Sequence, residues 1–387
     1  MKICVLTTTR AEYGLLSGLI KKLKSDPRFD IRVAVSGTHL SKEYGETYKE
    51  IENDGIDIDV KIPILFGKND NVAVSAEMCT ALSGFAGYFI KRRPDMLLVL
   101  GDRFETLAVC IAAFNLRIPI AHIHGGEVTY GALDDAYRHC ITKLSYLHFT
   151  STEEYRHRVI QLGEEPERVF NVGAPGVENA LCTELLCRDD FYRSVGLKSG
   201  RPFFIVTFHP ATNDGEDTEK QCAELLCALD KFPMYDVIFT GANADAGGRV
   251  INGILEKYAS KSENAVFVHS LGMKRYLSAL KYAEAVIGNS SSGIIEAPSF
   301  EVPTVNIGSR QEGRVQAKSV INCIPVSEKI AEAINEAIVL KDSGKLAGNV
   351  NPYGNGETTD KITEVLLKYV DKEIDLKKKF YDLKFEL

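Results

Sequence analysis

Met96-Leu97-Leu98-Val99-Leu100-Gly101-Asp102-Arg103 is the stretch on which the reading of the fold turns. An unbroken apolar run this short, closed by a glycine, suits a strand covered on both faces, as in a parallel sheet. The pattern recurs downstream, where the apolar run Ile118 to Ile123 ends in His124-Gly125-Gly126-Glu127. Two such strands place ionisable groups at the carboxyl edge of one sheet, which is where open α/β sheets bind ligands. An enzyme is the expectation.

The same alternation of short β-like runs and helical-period stretches extends outward in both directions. Further strands are predicted at Ile3–Thr8, Ile31–Ser36, Leu147–Thr150 and Val169–Val172, with helices at Tyr13–Lys24, Ala73–Arg92, Phe104–Asn115, Asp134–Leu144 and Glu153–Leu162. The alternation restarts after Lys198-Ser199-Gly200-Arg201-Pro202, with strands at Phe203–Phe208, Asp236–Thr240, Ala265–His269, Ala285–Gly288 and Thr304–Ile307. This predicts an α/β chain with two doubly wound, Rossmann-type domains facing each other. Residues 1–175 form the first and 176–365 the second, and the tail 366–387 packs back on the first.

At 387 residues the chain is too long for one ordinary core. A net charge of −7 argues against a nucleic-acid partner, which calls for a broad basic face. Nine scattered cysteines lack metal-knuckle or Cys-x-x-Cys spacing and read as reduced thiols. No long apolar run or leader-like segment stands out, so the expected location is cytoplasmic, without a membrane partner.

No Gly-x-Gly-x-x-Gly follows the first strand and no Walker-type loop occurs, which disfavours nicotinamide cofactors and P-loop hydrolysis. Thr7-Thr8-Thr9-Arg10 instead offers hydroxyls and a guanidinium at a strand-to-helix turn, suited to a phosphate or simply to capping. Gly288-Asn289-Ser290-Ser291-Ser292-Gly293 reads as an anion cradle, with Glu296 for ribose hydroxyls and Arg310 for phosphate. His209 and His39 each end a strand and could donate to a ligand; Asn243 lies in another strand-end loop.

Helix caps account for one or two of the carboxylates Asp102, Glu105, Glu127, Asp134 and Asp135, but not readily for Asp102 and Glu127 beside His124. Carboxylates crowded in a partly dry cleft push their pKa values apart, giving an acid and a base near neutrality. A metal site is disfavoured by the absence of dense His/Asp ligand spacing.

At these residues the chain resembles the hydrolysing UDP-N-acetylglucosamine 2-epimerases of bacterial sialic acid biosynthesis. The resemblance is nearly full-length. It rests on Thr9-Arg10-Ala11-Glu12-Tyr13-Gly14, Gly101-Asp102-Arg103, His122-Ile123-His124-Gly125-Gly126-Glu127, Arg138-His139, Phe208-His209-Pro210, Asn243-Ala244-Asp245, the serine-rich loop and Arg310-Gln311. It implies a GT-B-like fold with the UDP-sugar in a cleft between the domains, and conversion of UDP-N-acetylglucosamine and water to N-acetylmannosamine and UDP. The implied route is elimination to 2-acetamidoglucal followed by rehydration, with no redox cofactor or metal. A homodimer or homotetramer is also implied.

Many members of that family carry a carboxylate where this chain has His124. The expected catalytic set is therefore Asp102, His124, Glu127, Asp134, Asp135 and His209, with acid and base left unassigned among the first-domain groups. The expected substrate-binding set is Arg10, His39, Arg103, Arg138, His209, Asn243, Ser290, Ser291, Ser292, Gly293, Glu296 and Arg310. The alternatives are the same reaction on UDP- or GDP-linked 2,4-diacetamido-2,4,6-trideoxyglucose, a non-hydrolysing epimerase, a GT-B-like glycosyltransferase, and a silent nucleotide-sugar sensor.

Overall fold

Met96–Leu100 is the middle strand of a seven-stranded parallel sheet in the computed structural model, which describes residues 1–66, 71–197, 200–210, 218–242 and 247–384. The strands are β1 (Lys2–Thr7), β2 (Asp30–Val35), β3 (Ile58–Lys61), β4 (Met96–Leu100), β5 (Ile120–Ile123), β6 (Leu147–Thr150) and β7 (Val169–Asn171). Their order is β3-β2-β1-β4-β5-β6-β7. Alternate residues of β1 and β4 feed opposite cores. Ile3, Val5 and Leu98 pack with Leu16, Ile20 and Leu23 of the helix Arg10–Ser25, whereas Cys4, Leu6, Leu97 and Val99 pack with Phe85, Phe89 and Val109. Burial on both faces is why these strands read as continuous apolar runs.

The helix Arg10–Ser25 starts on a capping box, in which the Thr9 hydroxyl accepts from the Glu12 N–H and the Glu12 carboxylate reaches back to the Thr9 N–H. The helices Asn71–Lys91 and Phe104–Asn115 together line the second core. The span Val72–Lys91 has the length and apolarity of a membrane-crossing helix, but Ala81, Phe85, Tyr88 and Phe89 lie in that core.

The second sheet contains β8 (Phe203–Thr207), β9 (Asp236–Thr240), β10 (Ala265–Val268), β11 (Ala285–Gly288), β12 (Thr304–Ile307) and β13 (Val320–Cys323), in the order β10-β9-β8-β11-β12-β13. All pairings are again parallel. The edge strand β13 was not anticipated; it is four residues long and, among the described residues, pairs with β12 alone.

Two compact units result: residues 1–127, 133–178 and 354–387 in one, 128–132 and 179–353 in the other. The chain thus returns to the first unit earlier than the expected residue 366. The helix Thr358–Leu367, which the expected boundary at 365/366 cuts, buries Ile362, Val365 and Leu366 in the core of the first sheet. Glu178 fixes its start, accepting from the Thr359 N–H at 2.8 Å and hydroxyl at 2.5 Å.

Candidate active site

Each sheet reverses its strand order once, between β1 and β4 in the first unit and between β8 and β11 in the second. Crevices at such switch points are the natural binding sites of doubly wound sheets. Thr8 to Arg10 follow β1 and Asp102 follows β4, while His209 follows β8 and Asn289 to Ser292 follow β11.

Arg138 organises the first site. It is 1% exposed, and its guanidinium binds the Asp102 carboxylate, Asp135 Oδ1 at 3.0 Å and the Glu127 carbonyl at 2.8 Å. Buried arginine suits this task because its planar fork satisfies several acceptors at once. His122, fully buried and pushed down to about 3 by that burial, ties the Gly101 carbonyl to β5 at 2.8 Å, beside Asp102. Asp134 is exposed as a residue, but the protein around its carboxyl displaces part of that group's water. Together with the neighbouring Asp102 charge, this raises it to about 6.

His124 ends β5 with φ 68°, a left-handed conformation unusual for a side-chain-bearing residue and typical of functional turns. The Phe149 carbonyl holds its N–H at 2.9 Å. Its Nδ1 lies 3.6 Å from Glu127 Oε1, and Glu127, 3% exposed, also accepts from the Ser151 hydroxyl at 2.9 Å. Gly126 allows this turn; it has φ 81°, and a Cβ there would collide with the Tyr155 carbonyl. Glu127 therefore backs His124 rather than standing at the surface.

A second buried charge group lies at the β1 edge. Arg103 Nε donates to Glu105 at 2.7 Å, and Glu12 accepts from the Thr8 N–H at 2.7 Å and hydroxyl at 2.8 Å. Burial and nearby Glu105 push Glu12 up to about 7. Arg10 is exposed at the start of its helix. His39 needs correction as a ligand residue. It is fully buried, and its ring nitrogens bond the Thr7 and Thr47 hydroxyls at 3.0 and 2.8 Å, so it braces β1 against the chain after β2.

In the second unit, His209 is 6% exposed, and burial with nearby Arg310 pushes it down to about 3. A neutral imidazole near pH 7 can offer one N–H to an anion. Ser290 caps the short helix Ser291–Ile295, accepting from the Ser292 N–H, and Glu296 is half-buried at its other end. Gly293 packs on β12: Thr304 fills its open side, and the threonine methyl would lie 2.6 Å from an added Cβ. Arg310 donates to the Asn289 carbonyl at 2.9 Å. Asn243 lies outside the described residues. Ser151 was not offered as a site residue and Asn289 was read only as part of the serine-rich cradle, because their partners lie 24 and 80 residues away.

A family model described as UDP-N-acetylglucosamine 2-epimerase matches residues 21–367. The chain belongs to the UDP-N-acetylglucosamine 2-epimerase family. Among its relatives, the GDP/UDP-N,N'-diacetylbacillosamine 2-epimerase (hydrolyzing) of Campylobacter jejuni is 40% identical over 387 residues, 99% of each chain. The polysialic acid biosynthesis protein P7 of Escherichia coli is 38% identical over 99% of this chain and 97% of its own. The fold matches the crystal structure of the UDP-GlcNAc 2-epimerase from Neisseria meningitidis bound to UDP-GlcNAc. That match has a TM-score of 0.81 at 20% identity, over 95% of this chain and 100% of that one.

Proposed function

We propose that this epimerase releases UDP from a UDP-linked 2-acetamido sugar by hydrolysis, with inversion at C2. The observation that carries the reading is the contrast between Asp102, ion-paired to Arg138, and Asp134, whose carboxyl is raised to about 6. Held by Arg138, Asp102 is placed to take a proton, and Asp134 keeps its own to higher pH than an ordinary aspartate, so it is placed to return one.

The C2 hydrogen is poorly acidic, so its removal has to be coupled to C1–O cleavage. Asp102 takes the C2 proton as the C1–O bond breaks and UDP carries off the bonding electrons, leaving the corresponding 2-acetamidoglycal. Asp134 then protonates C2 from the opposite face while water attacks C1, and His124, backed by Glu127, takes the water proton. The balance is sugar nucleotide plus water giving the 2-epimer, UDP and one proton. His209, Arg310 and the serine loop stabilise the departing diphosphate.

Two sugars fit this chemistry. The name of the Campylobacter jejuni relative favours 2,4-diacetamido-2,4,6-trideoxyglucose, and UDP-N-acetylglucosamine is the second reading. Incubation with each UDP-sugar, and with the GDP-linked form of the first, should yield free 2-epimer and nucleotide in equal amounts from one of them. A product still linked to UDP would mean a non-hydrolysing epimerase, and turnover only with an added acceptor would mean a glycosyltransferase.

A further inference from the structure

Asn289 is 1% exposed and uses its side-chain amide on a single residue 80 positions away. Its Oδ1 accepts from the His209 N–H at 2.7 Å, and its Nδ2 donates to the His209 carbonyl at 2.9 Å. Both main-chain groups of His209 are thereby fixed, and the imidazole leaves the backbone in one direction. The Asn289 carbonyl in turn accepts from Arg310 at 2.9 Å and from the Gln311 amide at 2.9 Å. Its N–H reaches the end of β8, at the Thr207 carbonyl. Gly288 makes that approach possible; it has φ 131°, and a Cβ there would collide with the same carbonyl.

Only a primary amide offers a donor and an acceptor side by side at this length: Asp lacks the donor, Ser the reach. We propose that Asn289 is a positioning residue for nucleotide diphosphate binding, aligning His209 through its side chain and Arg310 through its main chain. This rests on the proposed function, in which His209 and Arg310 hold the diphosphate.

The test is calorimetric UDP binding to the wild type, Asn289→Ala, His209→Ala and the double variant, with thermal unfolding of each. Asn289→Ala should weaken UDP by about 10- to 100-fold. In the His209→Ala background the same substitution should cost clearly less, because a residue acting through another is non-additive with it. Unchanged affinity in Asn289→Ala, or full additivity, overturns the proposal. Unchanged affinity in His209→Ala overturns the underlying reading instead. If Asn289→Ala does not fold, Asn289→Ser takes its place with the same criteria.

Discussion

Nδ1 of His124 lies 3.6 Å from Oε1 of Glu127, a buried carboxylate whose same oxygen accepts from the Ser151 hydroxyl at 2.9 Å. An anion this close favours the protonated imidazole. As acceptor of the water proton His124 must be neutral, so activity should rise with pH on the acid side. Glu127→Gln removes the charge and should move that limb to lower pH by about one unit. His124→Gln should abolish the limb. A profile identical to wild type in both variants would remove His124 from the reaction.

Asp102→Asn keeps the shape of the β4 turn and a partner for Arg138, but cannot take a proton. kcat should fall by about two to four orders of magnitude, with UDP affinity nearly unchanged, since His209 and Arg310, proposed to hold the nucleotide, belong to the second sheet's unit. Near-normal turnover would exclude Asp102 as the base.

Asp134 sets the alkaline side. Its carboxyl is raised to about 6 by crowding and by Asp102, so the acid form it needs is lost as pH rises through that value. kcat should therefore decline above about pH 6 to 7. Asp134→Asn should lower kcat and remove this limb. The like charge of Asp102 contributes to the raised value, so Asp102→Asn should lower it; a carbon-13 carboxyl titration reads both.

The fold was legible where burial on both sheet faces writes itself as short apolar runs, as in Met96–Leu100 and Phe203–Thr207. It was less so at β13, an edge strand whose Val-Ile-Asn-Cys sequence lacks that signature. The amphipathic pattern of Thr358–Leu367 marks a helix but does not say which core receives it. Strand-end placement brought out Asp102 and His124. It could not separate them from His39, whose two threonine partners come together only on folding. Arg138 shows the same limit. Its contact with Asp135 is one helical turn away, but its contact with Asp102 spans 36 residues.

Stability has its own titrating centre in the first unit. Glu164 is fully buried, yet its carboxylate binds His148 at 3.0 Å and both Lys143 and Lys378 at 2.6 Å. Burial alone would raise its pKa; these three partners hold it down to about 2. A depressed carboxylate stabilises the fold above its unfolded value near 4.3 and loses that contribution as pH falls toward 2. Glu164→Gln should thus cost about 3 kcal/mol near pH 7, with the difference shrinking below about pH 4. Urea unfolding at both pH values checks it, and an equal difference at the two would contradict the assignment.

The most direct test of proton exchange at C2 with loss of UDP is a single turnover in deuterium oxide, followed by proton NMR. The account predicts free 2-epimer carrying one deuterium at C2, formed in step with UDP. A free sugar that keeps its original hydrogen and configuration at C2 would contradict it.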